Sequence, residues 1–194
     1  SSEKTAAYKA SLISGESIID LSGGFGVDDY YFSKTFREVI HCEINTELSQ
    51  IVSHNFKQLQ IENCTCHIGE SSVILEKLNR KFSWIYVDPS RRNDSKRKVF
   101  LLNDCEPNVP LLLPKYFNYS NHILIKTAPL LDIQSALTEL DFVRKIHIIA
   151  LENEVKELLW EIEKGHTGEI LVNSVNIEKN DTSIITTSLN KSYR

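Results

Sequence analysis

Methionine is absent from all 194 residues, position 1 included. The chain therefore reads as a domain excised from a longer polypeptide, with any neighbouring domains outside it. Its four cysteines, at 42, 64, 66 and 105, make no Cys-x-x-Cys pair. That spacing argues against a zinc ribbon or a dithiol redox site and leaves buried free thiols in a reducing compartment. The six histidines are scattered and offer no helical metal pair, so no metal is expected. No stretch reaches the roughly 18 consecutive apolar residues of a membrane helix. The polar opening Ser1-Ser2-Glu3-Lys4 has no leader character. No membrane association is expected, and the location expected is cytoplasmic. One sign of charge does not dominate either: the formal net charge is −4, which excludes a generally basic, polyanion-coating surface. Apolar content of 41% and charged content of 25% fit an ordinary globular chain, so residues 1–194 are expected to be one domain with a helical segment over 1–15.

Glycine is also scarce, seven in all, yet three lie within four positions, at 23, 24 and 26. They follow the apolar, β-branched run Ser17-Ile18-Ile19-Asp20-Leu21, which predicts a buried strand. Glycine directly after a strand lets the chain turn tightly and lets a ligand lie against main-chain N–H groups. A helix beginning near Asp28 would present its N-terminus to the same ligand. The dinucleotide fingerprint does not fit, because Asp29 stands where a third glycine or alanine is needed and would repel a pyrophosphate. What is present is Asp-x-x-x-Gly-x-Gly over Asp20, Gly24 and Gly26, the pattern of class I S-adenosylmethionine methyltransferases. That cofactor carries a sulfonium and an ammonium, which carboxylates hold, and no phosphate. Asp20, Ser22, Gly23, Gly24, Phe25, Gly26 and Asp28 are thus candidate cofactor contacts. The alternative is a glycine turn in some other α/β protein.

The next apolar run, Arg37 to Cys42, ends at Glu43, 17 residues after Gly26. At this spacing an acid at the second strand's end accepts both hydroxyls of a ribose diol. Glu43 and its neighbour Ile44 join the candidate cofactor set. So does Glu70, in Gly69-Glu70-Ser71, as acceptor of an adenine amine or as a cap of the following helix.

Strands are predicted over 17–22, 37–43, 63–68, 82–88, 122–127 and 144–151, with helices over 4–14, 29–35, 46–60, 71–79 and 132–140. Such alternation implies an α/β, Rossmann-like, doubly wound and mostly parallel sheet. Residues 168–177 and 183–188 read as two strands with no helix between them, hence a C-terminal antiparallel hairpin. Residues 154–164 are compatible with helix or strand, and their periodicity leans towards helix.

The fourth strand runs into Asp88-Pro89-Ser90-Arg91-Arg92. In a doubly wound sheet the end of that strand lies at the ligand crevice. Asp88 is therefore placed to meet a methyl acceptor, on a platform stiffened by Pro89; the alternative is an acid capping a turn. Arg91, Arg92, Lys96, Arg97 and Lys98 make five cations in eight residues, a pattern suited to a phosphate backbone or to plain solvated surface. Lys126, ending the fifth strand, is expected to pair with Asp88 or Asp104. The candidate catalytic set is Asp88, Pro89, Arg91 and Lys126.

Together SSEKTAAYKA, DLSGGFGVDD, the strand ending at Glu43, DPSRR, NDCEPNV, KTAPLLDI and LENEVKELL resemble a bacterial group of class I S-adenosylmethionine-dependent methyltransferases. Its members carry a small helical segment before this domain and a THUMP-like domain after it. The resemblance implies cofactor binding through Asp20, Gly24, Gly26, Glu43 and Glu70, release of S-adenosylhomocysteine, and Asp88 near the transferred methyl group. Because THUMP-type domains bind RNA, it implies RNA as substrate. Amine methylases of bases have Asp/Asn-Pro-Pro and an aromatic residue where Ser90 and Arg91 stand here. Carbon-5 methylation needs a cysteine nucleophile, and none lies at either strand end. Transfer to nitrogen or oxygen is the expectation. A small-molecule or protein substrate, or a catalytically silent binding module, is the alternative.

Overall fold

The computed structural model describes residues 1–91 and 101–189. Two compact units divide the chain between Val87 and Asp88.

The first unit opens with α1 (Glu3–Leu12), whose Ser2 cap and Thr5 bond reciprocally. Strand β1 (Gly15–Asp20) follows, then α2 (Val27–Phe32), β2 (Phe36–Glu43), α3 (Thr46–Gln58), β3 (Cys64–Ile68), α4 (Ser71–Leu78) and β4 (Trp84–Val87). The strands lie in the order β4-β1-β2-β3, and each adjacent pair is parallel. Parallel neighbours need crossovers, and α2 with the loop before it, α3 and α4 supply them. The strand centres Ile18, Ile19, Val39 and Ile85 are wholly or almost wholly buried, as expected of strands covered on both faces. Helix α3 starts at Asn45, whose side chain accepts the Leu48 N–H, and buries Ser49, Val52 and Phe56 along one face.

The second unit contains the short pair β5 (Ser90–Arg91) and β6 (Cys105–Glu106), antiparallel, with a 3-10 turn at Leu102–Asp104. Helix α5 (Val109–Tyr116), β7 (His122–Thr127), α6 (Ile133–Glu139), β8 (Val143–Leu151), β9 (Glu154–Glu163), β10 (Ile170–Ile177) and β11 (Thr182–Leu189) complete it. Its larger strands run in the order β11-β10-β8-β9-β7. Strand β9 is antiparallel to β7 and β8, β10 is parallel to β8, and β11 folds back antiparallel on β10. The fold is thus α/β with a mostly parallel arrangement that turns antiparallel towards the C-terminus. The expected C-terminal hairpin is present as β10 and β11.

Residues 154–164, which lean towards helix in sequence, form strand β9 instead. From Glu157 to Ile162 every residue is buried, so the strand lacks the in–out alternation that marks a half-buried one. Its buried acid Glu161 is taken up by β8, where His147 lies 2.8 Å and Lys145 3.6 Å away. No helix of the described residues is long and apolar enough to cross a membrane.

Candidate functional site

The glycine loop is fastened at several points, all within the first unit. Asp20 ends β1 fully buried, in register with His41 on β2 and Tyr86 on β4. Its Oδ1 accepts the Ser22 N–H at 2.7 Å and the Ser22 hydroxyl at 3.0 Å. Leu21 N–H donates to the Tyr86 carbonyl, and Gly23 N–H to the Cys42 carbonyl. The Glu43 carboxylate then takes the Gly24 N–H at 3.0 Å on one oxygen and the Asn45 N–H at 2.7 Å on the other. Asp20, Ser22, Gly23, Gly24 and Glu43 are thereby brought together, as the sequence anticipates. Phe25 and Ile44 flank them with 78% and 71% of their surface exposed.

Two of the glycines answer different needs. Gly26 has φ +69°, and a Cβ there would lie 2.7 Å from Val52 and 2.8 Å from Phe56, so it lets α2 begin hard against α3. Gly24 also has a left-handed φ, +53°, but a Cβ there would meet nothing nearer than the Ser22 carbonyl oxygen at 3.6 Å. Packing among the described residues makes no demand on Gly24, and its outer face is bare.

Beneath the loop is a cluster of ionisable groups. Asp28, a candidate cofactor contact, lies against Lys9 of α1, a lysine with no exposed surface, at 3.2 Å. It also accepts hydrogen bonds from the Tyr86 hydroxyl at 2.9 Å and the Ser1 hydroxyl at 2.8 Å. Burial pushes its carboxyl up, but Lys9 and these hydrogen bonds outweigh burial and hold it below the usual carboxylate range. Asp29 and His41 are both fully buried and meet at 2.6 Å through Nδ1. Burial, reinforced by the charge of Asp28, holds Asp29 well above the usual range, and burial pushes His41 down. Asp20 is raised too, first by burial and then by Asp29. Sequence reasoning misses Lys9, Tyr86 and the Asp29–His41 pair. The one available signal is a polar His41 inside the apolar run Val39-Ile40-His41-Cys42.

At the end of β3, Gly69 N–H donates to the Glu43 carbonyl at 3.0 Å. The adjoining Glu70 is the N-cap of α4, its carboxylate accepting the Ser72 and Val73 N–H groups. The capping alternative is thus realised in the fold. Burial pushes the Cys42, Cys64 and Cys66 thiols up, Cys66 to about 11, so all three are inert thiols near neutrality.

In the second unit, Asp88 and Lys126 form an ion pair, the pairing expected for Lys126. Pro89 follows, and Ser90 and Arg91 enter β5, with Arg91 in register with the buried Cys105 on β6. Asp104, the other anticipated partner of Lys126, belongs to the 3-10 turn. Leu102 and Asn103 N–H groups of that turn donate to Glu139 of α6. The remaining cations of the cluster, Arg92, Lys96, Arg97 and Lys98, lie outside the described residues. No group of three or more metal-ligating side chains occurs among the described residues.

Solved structures share this fold. A protein of Porphyromonas gingivalis W83, whose assignment as a methyltransferase is itself provisional, matches 97% of the chain with a TM-score of 0.83 and 27% identity. The chain spans about half of that protein, 48% of its length. An rRNA methylase of Streptococcus thermophilus matches 84% of the chain and is covered to 97%, with a TM-score of 0.59 and 13% identity. TrmK of M. capricolum, solved with its cofactor product S-adenosylhomocysteine, matches 84% of the chain and is covered to 68%, with a TM-score of 0.62 and 13% identity. The chain has the fold of these methyltransferases. No family model and no curated protein sequence matches it.

Proposed function

We propose that this chain is an S-adenosylmethionine-dependent methyltransferase domain that methylates a nitrogen or oxygen of RNA. The observation that carries the reading is the Gly24 turn, left-handed, bare on its outer face and held by the Glu43 carboxylate. The residues fit the cofactor. Glu43 uses one lone pair of each oxygen on the loop and on Asn45, which leaves acceptor capacity for a ribose diol. Exposed Ile44 and Phe25 offer apolar contact to a flat ring, Glu70 stands beside the Glu43 strand end, and buried carboxylates under the loop complement a cationic ligand.

When bound, S-adenosylmethionine supplies an electrophilic methyl group. The chain's task is then alignment of the acceptor lone pair, an effect worth about 7–11 kcal/mol where orientation is good. Asp88, one residue beyond β4, accepts a hydrogen bond from the acceptor's N–H or O–H and takes the proton released. Lys126 holds the Asp88 carboxylate in position. Pro89 stiffens the turn, and Arg91 with the cations after it holds substrate phosphates. The RNA component is supported by that basic cluster and by the RNA methylases among proteins of the same fold. A THUMP-like RNA-binding module elsewhere in the full-length protein belongs to the same proposal.

Calorimetric titration with S-adenosylmethionine and S-adenosylhomocysteine tests the reading. Wild type is expected to bind both in the micromolar range, and Glu43→Ala to weaken binding about tenfold or more through loss of a charged acceptor. Absence of binding by the full-length protein overturns it.

A further inference from the structure

We propose that Asp29 and His41 form a proton-linked positioning pair, which fixes the Gly23 turn of the cradle and gives up a proton when a cationic ligand occupies it. The inference rests on the cofactor reading above. It starts from how closely His41 underlies the loop. A Cβ on Gly23 would lie 2.2 Å from the ring's Cε1 and 2.7 Å from Nε2, so the imidazole occupies the space where a side chain at 23 would go. Gly23 N–H is meanwhile bound to the carbonyl of Cys42, the residue after His41. The turn and the ring are seated on the same stretch of β2.

Asp29 anchors the ring by Nδ1 at 2.6 Å, and both side chains have no exposed surface. Phe56 of α3 meets the ring edge-on with centroids 6.2 Å apart, which limits the ring's freedom to swing away. Two polar atoms of this buried pair, His41 Nε2 and Asp29 Oδ1, have no hydrogen-bond partner among the described residues. Such a pair is poorly compensated, and the free energy of an unpaired buried polar group makes its proton content sensitive to any nearby charge.

The titratable groups that face it are chiefly acidic. Asp20 comes from β1 in register with His41, Asp28 precedes Asp29 on α2, Glu43 lies two residues on along β2, and Cys66 on β3 is in register with His41. Lys9 of α1 answers Asp28. With Asp20 and Asp29 raised by burial and His41 lowered, the cluster retains a proton where free carboxylates have lost theirs. A cation on the loop favours the ionised carboxylates and so expels that proton. S-adenosylmethionine carries the sulfonium charge and S-adenosylhomocysteine does not. The pair thereby ties discrimination between cofactor and product to pH.

The test is calorimetry of the full-length protein with both ligands, between about pH 6 and 8, in buffers of contrasting ionisation enthalpy. Expected are release of up to one proton per S-adenosylmethionine bound, less with S-adenosylhomocysteine, and an affinity ratio that rises with pH by up to about tenfold per unit. The near-isosteric Asp29→Asn should reduce the proton release and flatten the pH dependence of the affinity ratio. If wild type binds both ligands with no proton release and a flat ratio, the pair has no such role although the cofactor reading stands. If wild type binds neither, the cofactor reading falls and takes this inference with it. The proton count is read on wild type, so the result does not depend on the variant folding.

Discussion

Gly24 and Gly26 share a left-handed backbone, yet their substitution by alanine should have different consequences. At Gly26 the strained φ, about 1–2 kcal/mol for an L-residue, adds to contacts of 2.7 and 2.8 Å with Val52 and Phe56. Gly26→Ala is expected to lower unfolding stability by about 2 kcal/mol or more in urea titrations. Gly24→Ala has only the backbone term, so stability should fall by about 1–2 kcal/mol while cofactor binding is lost. Asp28 invites a different experiment. Its folded carboxyl lies below the ordinary value, so its contribution is complete above the usual carboxylate range and vanishes as pH falls through the lowered value. Asp28→Asn removes the carboxylate charge beside buried Lys9 and should lower stability by about 1–3 kcal/mol near neutrality. Chemical denaturation at a series of pH values should show that deficit closing in acid.

The elements that sequence makes plain are those whose burial leaves a pattern. β1, β2, β4, β7 and β8 are apolar runs ending at polar or turn residues, and α3 repeats its buried positions on one face, so the alternation of strand and helix emerges directly. β9 is hidden because Glu157 and Glu161 are buried among leucines and a tryptophan, at spacings that also suit a helix. For Glu161, the explanation is its partners Lys145 and His147 on β8. α5 is hidden for another reason. Pro110 and Pro114 read as breakers in sequence, but Pro110 sits in the first turn, where its missing N–H is not needed, and Asn108 caps the helix. Among the candidate residues, the clustering of Asp20, Gly24 and Glu43 follows from spacing in the first unit, and in the second unit the Asp88–Lys126 ion pair from complementary charge. Lys9 and His41 are not legible, because their roles depend on three-dimensional neighbours. Strand β9 offers a check. Trp160 is fully buried and donates through Nε1 to the Thr127 hydroxyl at 3.0 Å. Trp160→Ala should lower stability by about 3–5 kcal/mol, read as a fall in the urea midpoint.

A chain of net charge −4 has no overall attraction for nucleic acid. If the chain binds RNA as proposed, binding is local, and the five cations between Arg91 and Lys98 set its ceiling. At about 0.7 counterions released per neutralised phosphate of single-stranded RNA, log–log salt slopes should not exceed about 3–4. Fluorescence anisotropy at graded salt, repeated after charge reversal of Arg91, Arg92, Arg97 and Lys98, should show the slope flatten. A slope unaffected by reversal would remove this cluster from RNA recognition.

The space shared by Gly23 and the His41 ring has a consequence for sequence drift. One volume cannot hold both an imidazole and a methyl group 2.2 Å apart, so a side chain at 23 requires loss of the imidazole at 41. A library randomised at both should return glycine with histidine, or alanine with a small residue at 41, and leave alanine with histidine empty. The order of change is fixed by the same constraint: the imidazole at 41 must be replaced before a side chain can enter at 23.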